Sequence, residues 1–240
     1  MPSPHPHPSI PSLLTPPDAM PKPLSRHTRR NSTPRGALVP ALALLTLAWA
    51  AAPASAQEEL LEESQQTLPP EQDAFWISIL ELCGQAFERV DERYVMHVRQ
   101  CYPDEIRIPV HVYDEEEDEW NRSRTWILTR TEDGLRLKHD HRYPDGSEEE
   151  VTQYGGDTEE VGEPGMQTFP ADSFTRETID ELVPGARNNI WRMEITPGEV
   201  FSYRLTRSTF ENSLQWAFDL TSPVEPPTAP WGYEDTSPTH

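Results

Sequence analysis

Along residues 135–143 the chain alternates strictly between two kinds of side chain. Leu135, Leu137, His139, His141 and Tyr143 fall on one parity; Arg136, Lys138, Asp140 and Arg142 fall on the other. A strand has a side-chain period of two, so this stretch predicts a strand with two histidines on its leucine face. The same alternation marks 105–113, where Ile106, Ile108, Val110 and Val112 interleave with polar positions. Further strands are predicted over 94–101, 124–131, 149–155, 189–196, 199–207 and 213–220. Asp133-Gly134, Asp145-Gly146 and Pro197-Gly198 supply turns between them. Pro109 cannot donate to a ladder and predicts an edge or bulged strand. One stretch has a different period. Trp76, Ile79, Leu80, Cys83, Phe87 and Val90 recur at three- and four-residue steps and predict an amphipathic helix over 73–90, weakened at Gly84.

One helix followed by about eight strands, joined mostly by tight turns, predicts a mainly β fold. Short connections make neighbouring strands antiparallel, and one apolar face per strand requires a sheet curled on itself. The expected architecture is an antiparallel up-and-down barrel, calycin-like, with one N-terminal amphipathic helix. Trp126, Tyr143, Trp191, Phe201, Tyr203, Trp216 and Phe218 are expected on inward faces, where they fill the barrel or line a cavity.

The ends of the chain read differently. Residues 37–52 are uncharged and apolar, preceded by Lys22, Arg26, Arg29, Arg30 and Arg35 and followed by Ala54-Ser55-Ala56. This is the pattern of a secretory signal over 1–56, cleaved before Gln57, with Met20 a candidate true start. The apolar run is shorter than the roughly 20 residues that span a bilayer. Residues 57–70 read as a polar linker, 71–221 as a single barrel domain, and 222–240 as a Pro-rich disordered tail. The expected location is exported, periplasmic or secreted.

Five of the 20 Lys and Arg and one of the 41 Asp and Glu precede Gln57, which leaves 15 bases and 40 acids, a net charge of −25. Such a field disfavours nucleic acid and anionic lipid as partners. Cys83 and Cys101 both follow the signal. In an oxidising compartment they are expected to form a disulfide, the alternative being two buried thiols.

Candidate chemistry is sparse. No catalytic residue is identified: nucleophile elbow, phosphate loop and Cys-x-x-Cys are all missing from the sequence, and no cofactor is implied. An enzyme is therefore the less favoured class. The first reading is a non-enzymatic module that binds a small apolar ligand or a partner through His139, His141, Tyr143, Trp126, Trp191 and Tyr203. The alternative is a metal-binding enzyme or carrier. Residues i and i+2 on a strand lie about 6.6 Å apart, so His139 and His141 could share a metal with a third ligand from His97, Glu150 or Tyr154. Gly134, His139, His141, Glu148 and Gly155 resemble a cupin motif, with a first spacer one residue short and a turn inside the second.

Three segments carry a broader resemblance: Cys83-Gly84-Gln85-Ala86-Phe87-Glu88; 124–142 with Asp145-Gly146-Ser147; and 151–155. They resemble a group of uncharacterised exported bacterial proteins. The resemblance implies a shared β-rich fold and assigns no activity. Lipocalins are similar in shape only, because their Gly-x-Trp opening is missing.

Overall fold

The computed structural model describes residues 66–207, 214–234 and 236. The expected signal segment, its expected cleavage site and residues 57–65 lie outside the described residues. The described part is mainly β, with eleven antiparallel strands, one longer helix and short helical turns over 175–182 and Ala186–Asn188. Helix α1 is Pro70–Leu80. The strands are β1 Ala86–Glu88, β2 Tyr94–His97, β3 Gln100–Cys101, β4 Glu105–Asp114, β5 Glu119–Thr131, β6 Gly134–His141, β7 Tyr154–Asp157, β8 Met166–Pro170, β9 Ile190–Thr196, β10 Val200–Thr206 and β11 Leu214–Asp219.

Pro70 opens α1, where its fixed φ suits the first turn and its missing N–H costs nothing. The helix is shorter than its apolar periodicity predicts. It stops at Leu80, and Gly84, at φ 81°, turns the chain back so that its N–H reaches Val98 O at 2.7 Å. Phe87 is buried as predicted, but on β1, paired with Met96, and Val90 is 69% exposed. Pairing with β2 supplies backbone partners that a helix would otherwise provide, and it overrides the three-to-four-residue period.

The strands form two sheets. One runs β1-β2-β4-β5-β6-β7, with β3 also on β4; the other runs β11-β10-β9-β8. Neighbours in space follow chain order, as in an up-and-down fold. The two sheets meet along both long edges through single bridges, Gly156↔Ala171 on one side and Arg89↔Phe218 on the other. No continuous ladder joins them among the described residues. Glycine is required at the first seam: a Cβ on Gly156 would sit 2.0 Å from Pro170 O.

Pro109 lies where β4's outer neighbour is interrupted. β2 pairs up to Val110 and β3 resumes at Arg107, so the missing N–H falls at the break. The strand is bulged as expected but central in the sheet. Between Val110 and Val112 on β4, β5 passes from Arg124 to Asn121, one residue more than its partner. This extra residue turns Arg122 to the outer face while Arg124 stays on the inner one.

The core lies between the sheets. Ile106, Ile108, Leu128 and Leu137 from one meet Trp191, Met193, Phe201 and Phe218 from the other, all fully buried. Helix α1 covers one end through Phe75, Trp76, Ile79 and Leu80, and Gln72 bonds Thr158 Oγ1 at 3.0 Å. Cys83 and Cys101 are disulfide-bonded, Cα–Cα 6.4 Å, and tie the turn after α1 to β3.

Two segments expected to be loose are packed. Leu68 is buried and Gln66 O accepts from Arg130, so the last residues of the predicted linker lie on the fold. The predicted disordered tail also has fixed partners: Val224 bridges Ala86, Arg122 donates to Ala229 O at 2.6 Å, and the Tyr233 hydroxyl donates to Asp140 at 2.5 Å. Main-chain groups, arginine donors and a tyrosine hydroxyl make the polar contacts, and none of these enters a hydropathy pattern.

Candidate functional site

Strand β6 places its side chains as the alternation predicts. Leu135, Leu137, His139 and His141 face inward, opposite Arg130, Leu128, Trp126 and Arg124 of β5. His139 is 3% exposed and both of its ring nitrogens are committed. Nδ1 lies 3.1 Å from Tyr154 O, an acceptor, so Nδ1 carries the proton. Nε2 is then the acceptor for the Tyr203 hydroxyl, 2.8 Å away. The ring stacks on Tyr154 at 4.6 Å and 11° and leans on Trp191 at 5.2 Å. Burial drives its pKa down to about 3, so the imidazole is neutral at ordinary pH.

His141, one step further along, has Nε2 3.1 Å from the Tyr154 hydroxyl, and its N–H donates to Thr152 Oγ1. Burial holds it well below the ordinary histidine value, with the Arg124 charge acting in the same direction. Glu149 lies 3.9 Å from Nδ1, and its own carboxyl is raised by burial. The two histidines thus share a face but not a focus, since His139 meets the Tyr154 carbonyl and ring while His141 meets its hydroxyl. Of the suggested third metal ligands, Tyr154 stands between them, Glu150 is exposed, and His97 is buried on β2 with the opposite parity to the inward Met96. Among the described residues no three His, Cys, Asp or Glu side chains converge on a point.

The aromatic candidates divide. Trp126 stacks on Tyr203 at 4.4 Å and 20° and touches Phe201, Trp216 and Phe218. With Trp191 these rings fill the space between the sheets. Tyr143 does not join them. The strand ends at His141, and Tyr143 is 49% exposed beyond it.

Two residues missed in the sequence complete the inner surface at the end away from α1. Arg124 precedes Trp126 by two on β5, and Arg207 follows Leu205 by two after β10. Both guanidiniums act on the Tyr154 hydroxyl, which burial nevertheless pushes up to about 12. Arg124 reaches Asn121 Oδ1 at 3.4 Å, and Arg207 donates Nε to Asn189 Oδ1 at 2.9 Å. These partners are amide oxygens, and the Arg124 charge also acts on the Glu149 carboxyl, pulling it down against the effect of burial. Tyr94 and Trp216 pack edge-to-face at 5.3 Å beside Trp126 and are only half-buried. Period-two parity was the signal available for both arginines, but on apolar strands it selects hydrophobic residues first.

Comparison with protein-family models, with curated proteins and with solved structures finds no match for this chain. Among the described residues no helix is long and apolar enough to cross a membrane.

Proposed function

We propose that this is an exported, non-enzymatic binding module. It is a flattened up-and-down barrel with a filled interior, and it takes a small anionic ligand with an apolar body at the end away from α1. The observation that carries this reading is the pair Arg124 and Arg207. Arg124 lies on β5 of one sheet and Arg207 just beyond β10 of the other, and the charges of both act on one buried tyrosine hydroxyl in a chain of net charge −21. Inward guanidiniums beside half-buried aromatic rings suit a carboxylate or sulfonate on an aromatic or aliphatic body. The packed rings around Trp126 and Tyr203 favour a ligand at the mouth over an apolar ligand deep inside. Both His139 nitrogens already serve protein partners, which disfavours the metal alternative. The disulfide and the absence of an apolar spanning helix among the described residues are compatible with export.

The test is calorimetric titration with 2-naphthoate and with its uncharged analogue 2-naphthalenemethanol. Saturable binding of the carboxylate, at least tenfold weaker in Arg124→Gln and in Arg207→Gln, is the expected result. Equal binding of the neutral analogue, or unchanged affinity in the folded double variant, would overturn it.

A further inference from the structure

The outer face of the seven-stranded sheet is covered by a segment that follows β11. That segment reads Val224-Glu225-Pro226-Pro227-Thr228-Ala229-Pro230-Trp231-Gly232-Tyr233, a proline-rich run ending in an aromatic-glycine-aromatic triplet. It has no regular secondary structure between Glu225 and Pro230, and it joins β11 through three exposed residues, Thr221, Ser222 and Pro223. Arginines do the holding. Arg122 donates to Ala229 O and lies over the Trp231 ring at 5.9 Å, and Trp231 N–H returns a bond to Arg122 O at 3.2 Å. Arg107 and Arg142 lie 5.3 and 5.1 Å from the Tyr233 ring, whose hydroxyl ends on Asp140. Gly232 lies so close to Arg142 that a Cβ there would come within 2.6 Å of Cδ. Arg99 binds both the carbonyl and the hydroxyl of Thr236.

These contacts have the form of extended-segment recognition, with arginines reading a carbonyl and two aromatic rings. An extended segment needs no folding of its own, a carbonyl is read by a fixed donor, and rings are gripped by cationic planes. The floor is not fully satisfied by this occupant. His111, 1% exposed and beside Arg122 and Arg99, has neither ring nitrogen hydrogen-bonded among the described residues. A buried polar group left without a partner disfavours the closed state relative to any segment that can reach it.

We propose that this face is a docking groove for an extended segment of another protein carrying a Trp-Gly-Tyr-like aromatic pair, and that residues 223–234 close it in cis. Such a partner displaces the tail by competition, and the exposed residues 221–223 are the point at which the tail swings away. The site is separate from the Arg124–Arg207 mouth, on the other face of the same sheet.

The probe is a fluorescent synthetic peptide of residues 223–240, followed by anisotropy. A chain ending at Ser222 is expected to bind it saturably, and the full chain at least tenfold more weakly, because the tethered tail competes at high effective concentration. Peptides with Trp231→Ala or Tyr233→Ala should lose at least tenfold. If the shortened chain fails to fold, the full chain with Trp231→Ala and Tyr233→Ala together takes its place and is expected to bind the unaltered peptide. Lack of saturable binding by either folded protein would overturn the proposal. So would full-length chain that dimerises by exchanging tails, which would make a second copy the occupant.

Discussion

At the scale of single residues the molecule is governed by buried polar groups and by how each is satisfied. His139 is the clearest. Its ordinary pKa of 6.5 falls to about 3 in the fold because burial excludes the charged form. Between those values the unfolded chain binds a proton that the folded chain refuses. The stabilisation is therefore complete above pH 6.5 and is lost as pH falls toward 3. His111, driven down to about 4 by burial and by the charges of Arg122, His97 and Arg99, acts with the same sign. Urea denaturation at pH 7 and pH 4 should show this acid weakening, and His139→Phe should flatten it. The same variant should cost about 2 kcal/mol at pH 7, because the Tyr203 hydroxyl and Tyr154 carbonyl lose their partner. Tyr233 has the opposite sign. Burial, then its bond to Asp140, pushes its hydroxyl from 10.0 up to about 12. Its contribution is complete below pH 10 and is lost as pH rises through about 12. Absorbance at 295 nm should report its ionisation, and Trp231 fluorescence should report tail release over the same range.

At the scale of elements, closure depends on a few positions. Gly156 brings β7 against Pro170 at the seam, and Gly156→Ala should cost about 2 kcal/mol or more, read as a lowered melting temperature with the disulfide intact. Cys83–Cys101 closes a loop of 18 residues and holds the turn after α1 to β3. Cys83→Ser should cost about 3 kcal/mol in the chain-entropy model, measured by denaturant midpoint against the oxidised protein. Strand β6 was legible in advance as far as His141, Tyr143 falling outside it, because a half-buried strand imposes a period of two. The end of α1 was not. A three-residue strand and a helical turn can carry the same apolar spacing, and only pairing of Phe87 with Met96 distinguished them. Arg122 and Arg124 share parity in the sequence, yet the bulge sends them to opposite faces.

At the scale of the whole molecule, charge acts on stability through the solvent. With 40 acids against 15 bases after Gln57, self-repulsion opposes the compact state. Raising ionic strength from 0.01 to 0.15 M shortens the screening length from about 30 to about 8 Å, so the melting temperature should rise. A flat or falling curve would mean that the paired charges, such as Arg136–Asp157 and Arg142–Asp140, dominate. The β-rich class, the antiparallel order of the strands, the disulfide and the inward set of β6 were determined by the sequence alone. The strands follow from periodicity and short connections, which are local properties of a chain, and the disulfide from an isolated pair of cysteines. Tertiary structure decided the rest. It committed His139 to Tyr154 and Tyr203, brought Arg124 and Arg207 within electrostatic reach of the Tyr154 hydroxyl, placed Tyr143 outside, and laid the tail across the outer face. Those outcomes depend on which distant atoms come within 3 Å of one another, and that distance is set by packing between elements, which no local pattern encodes.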